Sequence, residues 1–339
     1  MVTIKDVARA AGVSPTTVSH VYSGKRHVAS ETQERVRSAA DRLGYSTNSQ
    51  ALGLVTRRSM TIALSAPVEP GDFVLNRFFA AMLSVFSRVA MDEGYSFVFL
   101  PADDRGAAER LVTLARERRF DGALVLDPAA GGALAAALAD IGVPIVTVGR
   151  RLDAPSEPFV DVDHATAIRV ALDHLRSRGY AAPALLTTAG NFAHVHDRLA
   201  AYERWCSDHG VEPVVMTAEQ PTEDAGWAAM TRGAPEASFD AVLCAQGSLA
   251  RGVLRALREA GRSAPREVGV VGSTEGESAA ATVPPLTTIE SRPQAIGEVA
   301  IRALLSLMAG RQVDLPQEVE PLLIPRGSTD RPRSTAGRR

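Results

Sequence analysis

The 339-residue sequence predicts a small all-α helix-turn-helix head followed by an α/β body of two doubly wound, parallel-sheet lobes. Two short amphipathic stretches joined by a glycine-containing turn stand at the start of the chain, which is the pattern of a helix-turn-helix. Short apolar runs then alternate with helical stretches in two successive sets, which indicates parallel sheets covered by helices. The length also exceeds that of one ordinary domain.

The first helix has a complete start signal. Thr3 is the predicted N-cap and Asp6 occupies the third helical position, which is the arrangement of a capping box. Apolar side chains at positions 4, 7, 8 and 11 share one helical face. Gly12 is expected to end this helix and to begin the turn.

The second helix is predicted to begin directly after the turn, with Ser14 as N-cap and Pro15 in the first helical position that proline favours. Val18 and Val21 face inward. The outer face then carries small or hydrogen-bonding side chains, namely Pro15, Thr16, Ser19 and His20. Such side chains are suited to contact base edges in the major groove of DNA.

A third helix is expected to begin at Ser30, with Gln33 completing a second capping box and Gly44 ending the helix. Apolar residues at positions 36, 39, 40 and 43 supply its core face. The head is therefore predicted to be a three-helix packing without catalytic side chains.

The charge is distributed unevenly along the chain. The formal net charge is −2, but the residues up to Arg58 carry +5 and those after Asp330 carry +4, so the residues between them carry −11. A basic head on an acidic body is expected when only the head approaches a polyanion.

The body is predicted to contain two sets of parallel strands. The predicted strands are Ile62–Ala66, Phe97–Leu100, Ala123–Asp127, Ile145–Gly149, Ala184–Thr188, Val214–Thr217, Ala241–Ala245 and Val268–Gly272. Helical stretches separate them, among them one predicted at Arg198–His209. Two such sets imply two lobes with a cleft at the carboxyl ends of the strands, where open α/β sheets bind ligands.

Motif searches argue against an enzyme. The sequence has no P-loop, no GxGxxG after the first strand, no HExxH and no GxSxG, so we predict no catalytic residue and no cofactor. The run at 194–197, HVHD, lacks distant partners, so no metal site is predicted. Cys206 and Cys244 form no CxxC motif, which argues against a disulfide framework or a zinc finger.

Membrane insertion and secretion are also not expected. No run of about eighteen apolar residues is present to span a membrane. The N-terminal sequence MVTIKDVARA lacks the apolar core of a signal peptide. We therefore expect a cytoplasmic protein.

The segment TIKDVARAAGVSPTTVSHVYSGKRHVASETQERVRSAADRLGY resembles the head of the lactose-repressor (LacI/GalR) family of bacterial transcription regulators. YSTNSQALGLVTRRSMTIAL resembles that family's hinge, and PPLTTIESRPQAIGEVAIRALLSLMAGR and IPRGST continue the likeness towards the C-terminus. The resemblance implies a body like that of periplasmic binding proteins, in which the chain crosses between lobes three times. The implied divisions are a head at 1–45, a hinge at 46–59, a first lobe at 60–160 and 292–318, a second lobe at 161–291 and 319–330, and a disordered basic tail at 331–339.

The resemblance also implies which residues contact DNA. The implied set is Thr3, Ser14, Pro15, Thr16, Thr17, Ser19 and His20 in the head, and Asn48, Ala51 and Leu54 in the hinge. Pro15, Thr16 and His20 would face base edges, whereas Thr17, Ser19 and backbone amides near Ser14 would hold phosphates. The family usually has arginine in place of His20, so we expect an altered base preference there; the alternative is that His20 contacts only phosphate or water.

In the hinge, Asn48 is expected to cap a short helix, with Leu54 wedged into the minor groove and Ala51 beside it. Thr47 replaces the family's usual proline, and Gly53 inside the helix costs roughly 1 kcal/mol relative to alanine. We therefore expect a hinge that folds only when two copies meet on DNA.

Transferred in the same way, the effector contacts implied for the cleft are Phe78, Phe79, Asp127, Arg150, His194, Arg198, Gln246 and Thr274. Family carboxylates are replaced at Gly149, Gln246-Gly247 and Thr274. Sugar sites rely on carboxylates that accept from hydroxyl groups. Three alternatives therefore remain open: an anionic or otherwise non-sugar effector, a modified sugar site, and a cleft without a small ligand.

The resulting prediction is a homodimeric, sequence-specific DNA-binding regulator, most simply a repressor, that reads a near-palindromic double-stranded operator. A small molecule between the lobes would control operator affinity, and release and corepression both remain open. The rival interpretations are a periplasmic solute-binding protein, which the helix-turn-helix disfavours, and an α/β enzyme, which lacks a motif.

Overall fold

A computed structural model describes residues 2–23, 26–45, 58–66, 77–101, 106–126, 132–152, 158–233, 239–273 and 277–331. The predicted hinge residues Asn48, Ala51 and Leu54 lie outside these ranges, as do the predicted cleft residues Asp127 and Thr274. Among the described residues, no helix is both long and apolar enough to cross a membrane.

The head consists of helices α1 (Ile4–Ala11), α2 (Pro15–Ser23) and α3 (Ser30–Leu43). Both predicted ends of α1 are confirmed. The Asp6 carboxylate accepts from the backbone N–H of Thr3 at 3.0 Å and from its hydroxyl at 2.7 Å. Gly12 ends α1 in the left-handed conformation, with φ at 66°. The core of the head is formed by the buried residues Val7, Ala8, Ala11, Val18, Val36, Ala39 and Ala40.

The predicted capping box at the start of α3 is wrong. The N-cap is Ala29, and Ser30 is already the first helical residue. The Gln33 side chain instead donates to the carbonyl oxygen of Val28 at 2.8 Å. The helix therefore begins at Ser30 as predicted, but without a capping box, and the side-chain amide of Gln33 holds the segment that precedes it.

The first lobe contains a six-stranded parallel sheet in the order β11-β5-β4-β3-β1-β2. Its strands are β1 (Thr61–Ala66), β2 (Ser96–Pro101), β3 (Gly122–Leu126), β4 (Ile145–Val148), β5 (Phe159–Val162) and β11 (Gln317–Val319). Helices α4 (Arg77–Asp92) and α12 (Pro293–Met308) contribute to the larger core cluster of this lobe, and α5 (Ala107–Arg116) and α6 (Gly132–Ile141) to the smaller one. Since alternate residues of β1 enter the two clusters, helices cover both faces of the sheet.

The second lobe repeats this order as β12-β10-β9-β8-β6-β7, with β12 antiparallel to β10. Its strands are β6 (Pro183–Thr188), β7 (Val215–Ala218), β8 (Ala241–Cys244), β9 (Gly269–Ser273), β10 (Thr287–Glu290) and β12 (Leu322–Ile324). One core cluster includes α7 (His164–Ser177) and α8 (Ala193–His209), and the other includes α9 (Glu223–Gly233), α10 (Gly247–Glu259) and the short α11 (Glu277–Ala280).

The predicted fold class is confirmed, and each of the eight predicted strands is present with its ends within one residue of the prediction. The chain passes from one sheet to the other after β5, after β10 and after β11. One helix boundary is wrong: α8 begins at Ala193 rather than at Arg198. This correction places His194 and Arg198 one turn apart on the same helix, so both side chains lie on one helical face.

Candidate functional sites in the head and the cleft

The outer face of α2 is the candidate DNA-contacting surface. The Ser14 hydroxyl accepts from the backbone N–H of Thr17 at 3.1 Å and lies 2.9 Å from the Thr17 hydroxyl, which establishes Ser14 as the cap of the helix. Pro15 and Thr16 are exposed, whereas Val18 is fully buried. The start of α2 therefore presents its first side chains to solvent from a rigid support.

The remaining head residues predicted to contact DNA lie on α2 or directly before α1. Thr17, Ser19 and His20 are partly buried, and Thr3 is exposed at the start of α1. The structure thus brings five of the predicted residues onto one short helix, and Ser14 directly precedes it.

The candidate ligand site is a cleft of about 370 Å³ at the carboxyl ends of the second-lobe strands. Its wall includes Cys244 at the end of β8 with Ala245 after it, Ser273 at the end of β9, and Ser291 after β10. Val162, the last residue of β5, belongs to the first-lobe sheet and also lines the cleft. This is the position where open α/β sheets bind ligands.

Arg198 is the most prominent cation in the cleft. Its Nε donates to Nδ1 of His164 at 3.3 Å, and one terminal nitrogen donates to the carbonyl oxygen of Ala245 at 3.4 Å. Burial lowers the pKa of Arg198 to about 10, so the guanidinium remains charged at neutral pH. Within the described residues no carboxylate forms an ion pair with it, which leaves donor capacity for a ligand.

A carboxylate and an imidazole connect Arg198 to the first lobe. Because His164 Nδ1 accepts from Arg198, a ring proton is placed on Nε2, which lies 3.4 Å from an Asp161 oxygen. Asp161 also accepts from the backbone N–H groups of Arg150 at 3.2 Å and Val162 at 2.8 Å. Burial alone would raise the pKa of Asp161, but the interaction with His164 and the two backbone hydrogen bonds outweigh burial and lower it, so Asp161 is ionised.

A second ion pair crosses between the lobes. Arg150 is the second residue after β4, and its guanidinium lies 2.5 Å from a carboxylate oxygen of Asp197, which is on α8. The hydrogen bond that Arg150 donates to Asp197 raises the pKa of Arg150. Both side chains are only partly exposed, at 24% and 34%.

An aromatic cluster lies at the start of α8. The Phe192 ring is stacked on His194, with centroids 5.4 Å apart, and His194 lies 5.9 Å from His164. Burial, assisted by the nearby charge of Arg198, lowers the pKa of His194 to about 4, so this ring is neutral at pH 7. Gly190, with φ at 150°, leaves room for Phe192, because a Cβ there would lie 2.7 Å from the ring.

Gln246 is the N-cap residue of α10. Its side-chain nitrogen lies 3.4 Å from the Thr188 hydroxyl, while its oxygen is buried and has no hydrogen-bond partner in the described structure. An unsatisfied buried acceptor is costly, so this oxygen is available to a donor from a ligand or a water molecule.

The two predicted phenylalanines lie elsewhere in the first lobe. Phe79 is 3% exposed and packs against Phe99, with centroids 5.9 Å apart, inside the core of that lobe. Phe78 is partly buried against the same cluster. Of the predicted cleft residues, the structure therefore groups Arg150, His194 and Arg198, with Gln246 next to the Ala245 carbonyl that Arg198 contacts.

Four residues of this group were not predicted: Asp161, His164, Phe192 and Asp197. Asp161 and His164 flank the end of β5, a strand that the sequence analysis did not identify. Asp197 directly precedes Arg198 in the sequence, but its pairing with Arg150 of the first lobe could not be read from the sequence. For the described residues, no group of three or more histidine, cysteine or acidic side chains has the arrangement of a metal site.

Comparisons with known proteins agree with this architecture. The family model described as "Bacterial regulatory proteins, lacI family" matches residues 3–48, and that described as "Periplasmic binding protein-like domain" matches residues 172–329. The chain is 30% identical to the HTH-type transcriptional regulator CelR of Thermobifida fusca over 317 residues, which cover 92% of this chain and 93% of that protein. It is 30% identical to the HTH-type transcriptional regulator MalR of Streptomyces coelicolor over 343 residues, which cover 96% of each chain.

Two solved structures are similar over nearly the whole chain. The transcriptional regulator CelR–cellobiose complex has a TM-score of 0.72 and 29% identity, and the alignment covers 97% of this chain and 100% of that one. The lac repressor dimer bound to operator and the anti-inducer ONPF has a TM-score of 0.79 and 25% identity, with 97% and 99% covered.

Proposed function

Because the chain belongs to the lacI family of bacterial regulatory proteins, and is therefore a DNA-binding transcriptional regulator, we propose that it acts as a homodimeric operator-binding repressor controlled by a neutral, hydroxyl-rich ligand in the cleft. The single observation that carries the operator assignment is helix α2, which Ser14 caps and whose first side chains, Pro15 and Thr16, are exposed. Two copies of the head would read the two halves of a near-palindromic site, since the symmetry of a dimer imposes symmetry on its operator.

In this proposal Pro15, Thr16 and His20 contact base edges, while Thr3, Thr17, Ser19 and the amides near Ser14 contact phosphates. His20 offers one donor where an arginine would offer two, so it discriminates guanine less strictly. Asn48, Ala51 and Leu54 form the hinge contact, with Leu54 in the minor groove.

DNA-shift measurements test this assignment. The wild-type chain, His20→Ala and Leu54→Ala are compared on a duplex that the wild type selects from random-sequence DNA. We expect the loss of one base contact at His20 to weaken binding by roughly 1–3 kcal/mol and to relax the preference at one position of each half-site. Leu54→Ala should weaken binding without changing the preference in the half-sites. Equal binding and equal preference in all three proteins would contradict both assignments.

The charge balance of the cleft supports a neutral ligand. The guanidinium of Arg150 is already paired with Asp197, and Asp161 is ionised next to His164. An anionic ligand would approach two carboxylates as well as Arg198, whereas hydroxyl groups can donate to carboxylates and accept from Arg198. The buried oxygen of Gln246 adds a further acceptor. The CelR–cellobiose complex supports the same ligand class, because its protein is similar over the full length of this chain.

Calorimetry tests the ligand class. Cellobiose and maltose serve as neutral probes, and glucuronic acid and glucose 6-phosphate as charged ones, each with the wild type and with Arg198→Ala. We expect a neutral sugar to bind the wild type and to lose at least about tenfold in affinity with Arg198→Ala, since charged hydrogen bonds contribute roughly 1.5–3 kcal/mol. Binding of the charged probes alone would replace this proposal with an anionic effector, and binding of none of the four would contradict it.

The proposal includes the remaining expectations for the chain. It acts in the cytoplasm, where the operator is, and not as an enzyme. The head, hinge and two lobes keep the divisions given above. Asp127 and Thr274, which lie outside the described residues, remain proposed contributors to the cleft wall beside Arg198.

A further inference from the structure

The point at which the chain enters the body is held by one carboxylate. Asp121, directly before β3, accepts at one oxygen from the backbone N–H of Ser59 at 2.7 Å and from its hydroxyl at 2.9 Å. Its other oxygen accepts from the N–H of Met60 at 2.9 Å. Its own backbone N–H donates to the carbonyl oxygen of Thr61 at 2.8 Å. Four hydrogen bonds therefore join Asp121 to the first residues that follow the hinge.

The segment held in this way has an unusual backbone. Met60 has φ at 53°, a left-handed conformation that residues other than glycine rarely adopt. Its carbonyl oxygen accepts from the backbone N–H of Ser96 at 2.9 Å. Since such a conformation persists only when its surroundings impose it, Asp121 and the first residue of β2, Ser96, impose it here.

The second lobe contains the same device without a hinge attached to it. Asp240, directly before β8, accepts from the backbone N–H of Ala181 at 2.9 and 3.1 Å and from that of Ala182 at 2.9 Å. Its own N–H donates to the carbonyl oxygen of Ala182 at 3.1 Å. Arg331 also lies 3.4 Å from it. In the repeated strand order β8 corresponds to β3 and β6 to β1, so Asp240 occupies the position equivalent to Asp121.

We propose that Asp121 is a positioning residue for operator binding: it fixes the site at which the hinge and head leave the body. Asp121 lies at the amino ends of the first-lobe strands, the end away from the cleft, and residues 1–57 connect to the body only through this segment. Release of this segment from Asp121 gives each head more conformational freedom before it binds DNA. Binding then costs more conformational entropy, and the effective concentration of the second head at its half-site falls.

The equivalent residue Asp240 provides a matched control. Asp121→Asn and Asp240→Asn each remove a charge and one acceptor from the same type of cap, but only Asp121 is connected to the hinge. Ser59→Ala is a milder variant, which removes the hydroxyl contact at 2.9 Å while both backbone amides remain.

The experiment uses the full chain and a duplex that the wild type selects from random-sequence DNA, with fluorescence anisotropy for affinity and circular dichroism for thermal unfolding. We expect Asp121→Asn to lose roughly tenfold in operator affinity, Ser59→Ala about threefold, and Asp240→Asn less than about twofold at a similar loss of thermal stability. Hydrogen exchange at the Ser59 and Met60 amides should accelerate in Asp121→Asn alone, which a general loss of stability would not produce.

Equal operator affinities of Asp121→Asn and Asp240→Asn would overturn the proposal. If Asp121→Asn does not fold, Ser59→Ala decides: wild-type affinity in that variant would overturn it equally. The inference depends on operator binding by the head. A wild type that selects no duplex would contradict operator binding itself, a result distinct from the loss of the difference between the two aspartate variants.

Discussion

The ion pair between Arg150 and Asp197 gives the most quantitative prediction about the two lobes. Arg150 belongs to the first lobe and Asp197 to α8 of the second, and the pair is 2.5 Å apart. Asp197→Asn removes the charge and keeps the size of the side chain. Arg150→Met keeps most of the aliphatic stem and removes the guanidinium. The two single variants and the double variant form a thermodynamic cycle.

The magnitude follows from the burial of the pair. Exposed ion pairs contribute about 0–1 kcal/mol, and hydrogen bonds to charged groups roughly 1.5–3 kcal/mol. With 24% and 34% of the side chains exposed, the pair lies between these cases. We therefore expect a coupling energy of about 1–2 kcal/mol, which is roughly a 5- to 30-fold change in an equilibrium constant.

Urea unfolding followed by tryptophan fluorescence measures this coupling, because Trp205 and Trp227 are the only two tryptophans and both lie in the second lobe. Arg169 and Asp173 on α7 provide the control pair, 3.6 Å apart and 59% and 48% exposed. Their coupling energy should stay below about 0.5 kcal/mol. A coupling energy for Arg150 and Asp197 no larger than that of the control would refute the reasoning that this pair holds the lobes together.

Three further predictions concern other parts of the molecule. The pKa of His194 falls from its ordinary value of 6.5 to about 4 on folding, so the unfolded chain binds more protons between these two pH values. The free energy of unfolding should therefore rise with pH in this range. His194→Gln should flatten the pH dependence of the melting temperature. Ser328 is fully buried, donates to the carbonyl oxygen of Val270 at 2.5 Å and accepts from the N–H of Thr287 at 2.8 Å. Ser328→Ala should therefore lower the free energy of unfolding by about 2 kcal/mol in urea titrations, and a loss below about 0.5 kcal/mol would contradict this. His20→Arg should shift the half-sites selected from random DNA towards guanine at one position, and an unchanged selection would indicate that His20 does not contact a base.

The repetitive parts of the fold could be predicted from sequence because their determinants are local. The apolar run at Ile62–Ala66 is buried on both faces of a parallel sheet, and Thr3, Asp6 and Gly12 define the ends of α1 within one turn. Helix α9 was not predicted because it contains Gly226, which lowers helix propensity. The structure shows the reason for that glycine: a Cβ there would lie 2.7 Å from the Cα of Leu249 on α10.

The candidate cleft was predicted less completely because its chemistry depends on pairs that are distant in sequence. Arg198 and His194 could be chosen from the resemblance alone. The loss of family carboxylates suggested an anionic ligand as one of three alternatives, but Asp161 and Asp197 supply carboxylates from other positions. The contact between Asp197 and Arg150 joins residues 47 positions apart, so it is not visible in the sequence. The contact between Asp161 and His164 is local, but it lies at the end of β5, a strand that was not predicted.

Operator affinity measured with and without a cleft ligand tests the central claim most directly. Fluorescence anisotropy on the selected duplex is recorded for the wild type and Arg198→Ala, each without sugar and at saturating cellobiose or maltose. The account predicts that one of these neutral sugars changes the operator affinity of the wild type by roughly 5- to 150-fold, and that Arg198→Ala binds the operator equally well but does not respond to the sugar. An operator affinity that neither sugar changes, or an equal response in Arg198→Ala, would contradict it.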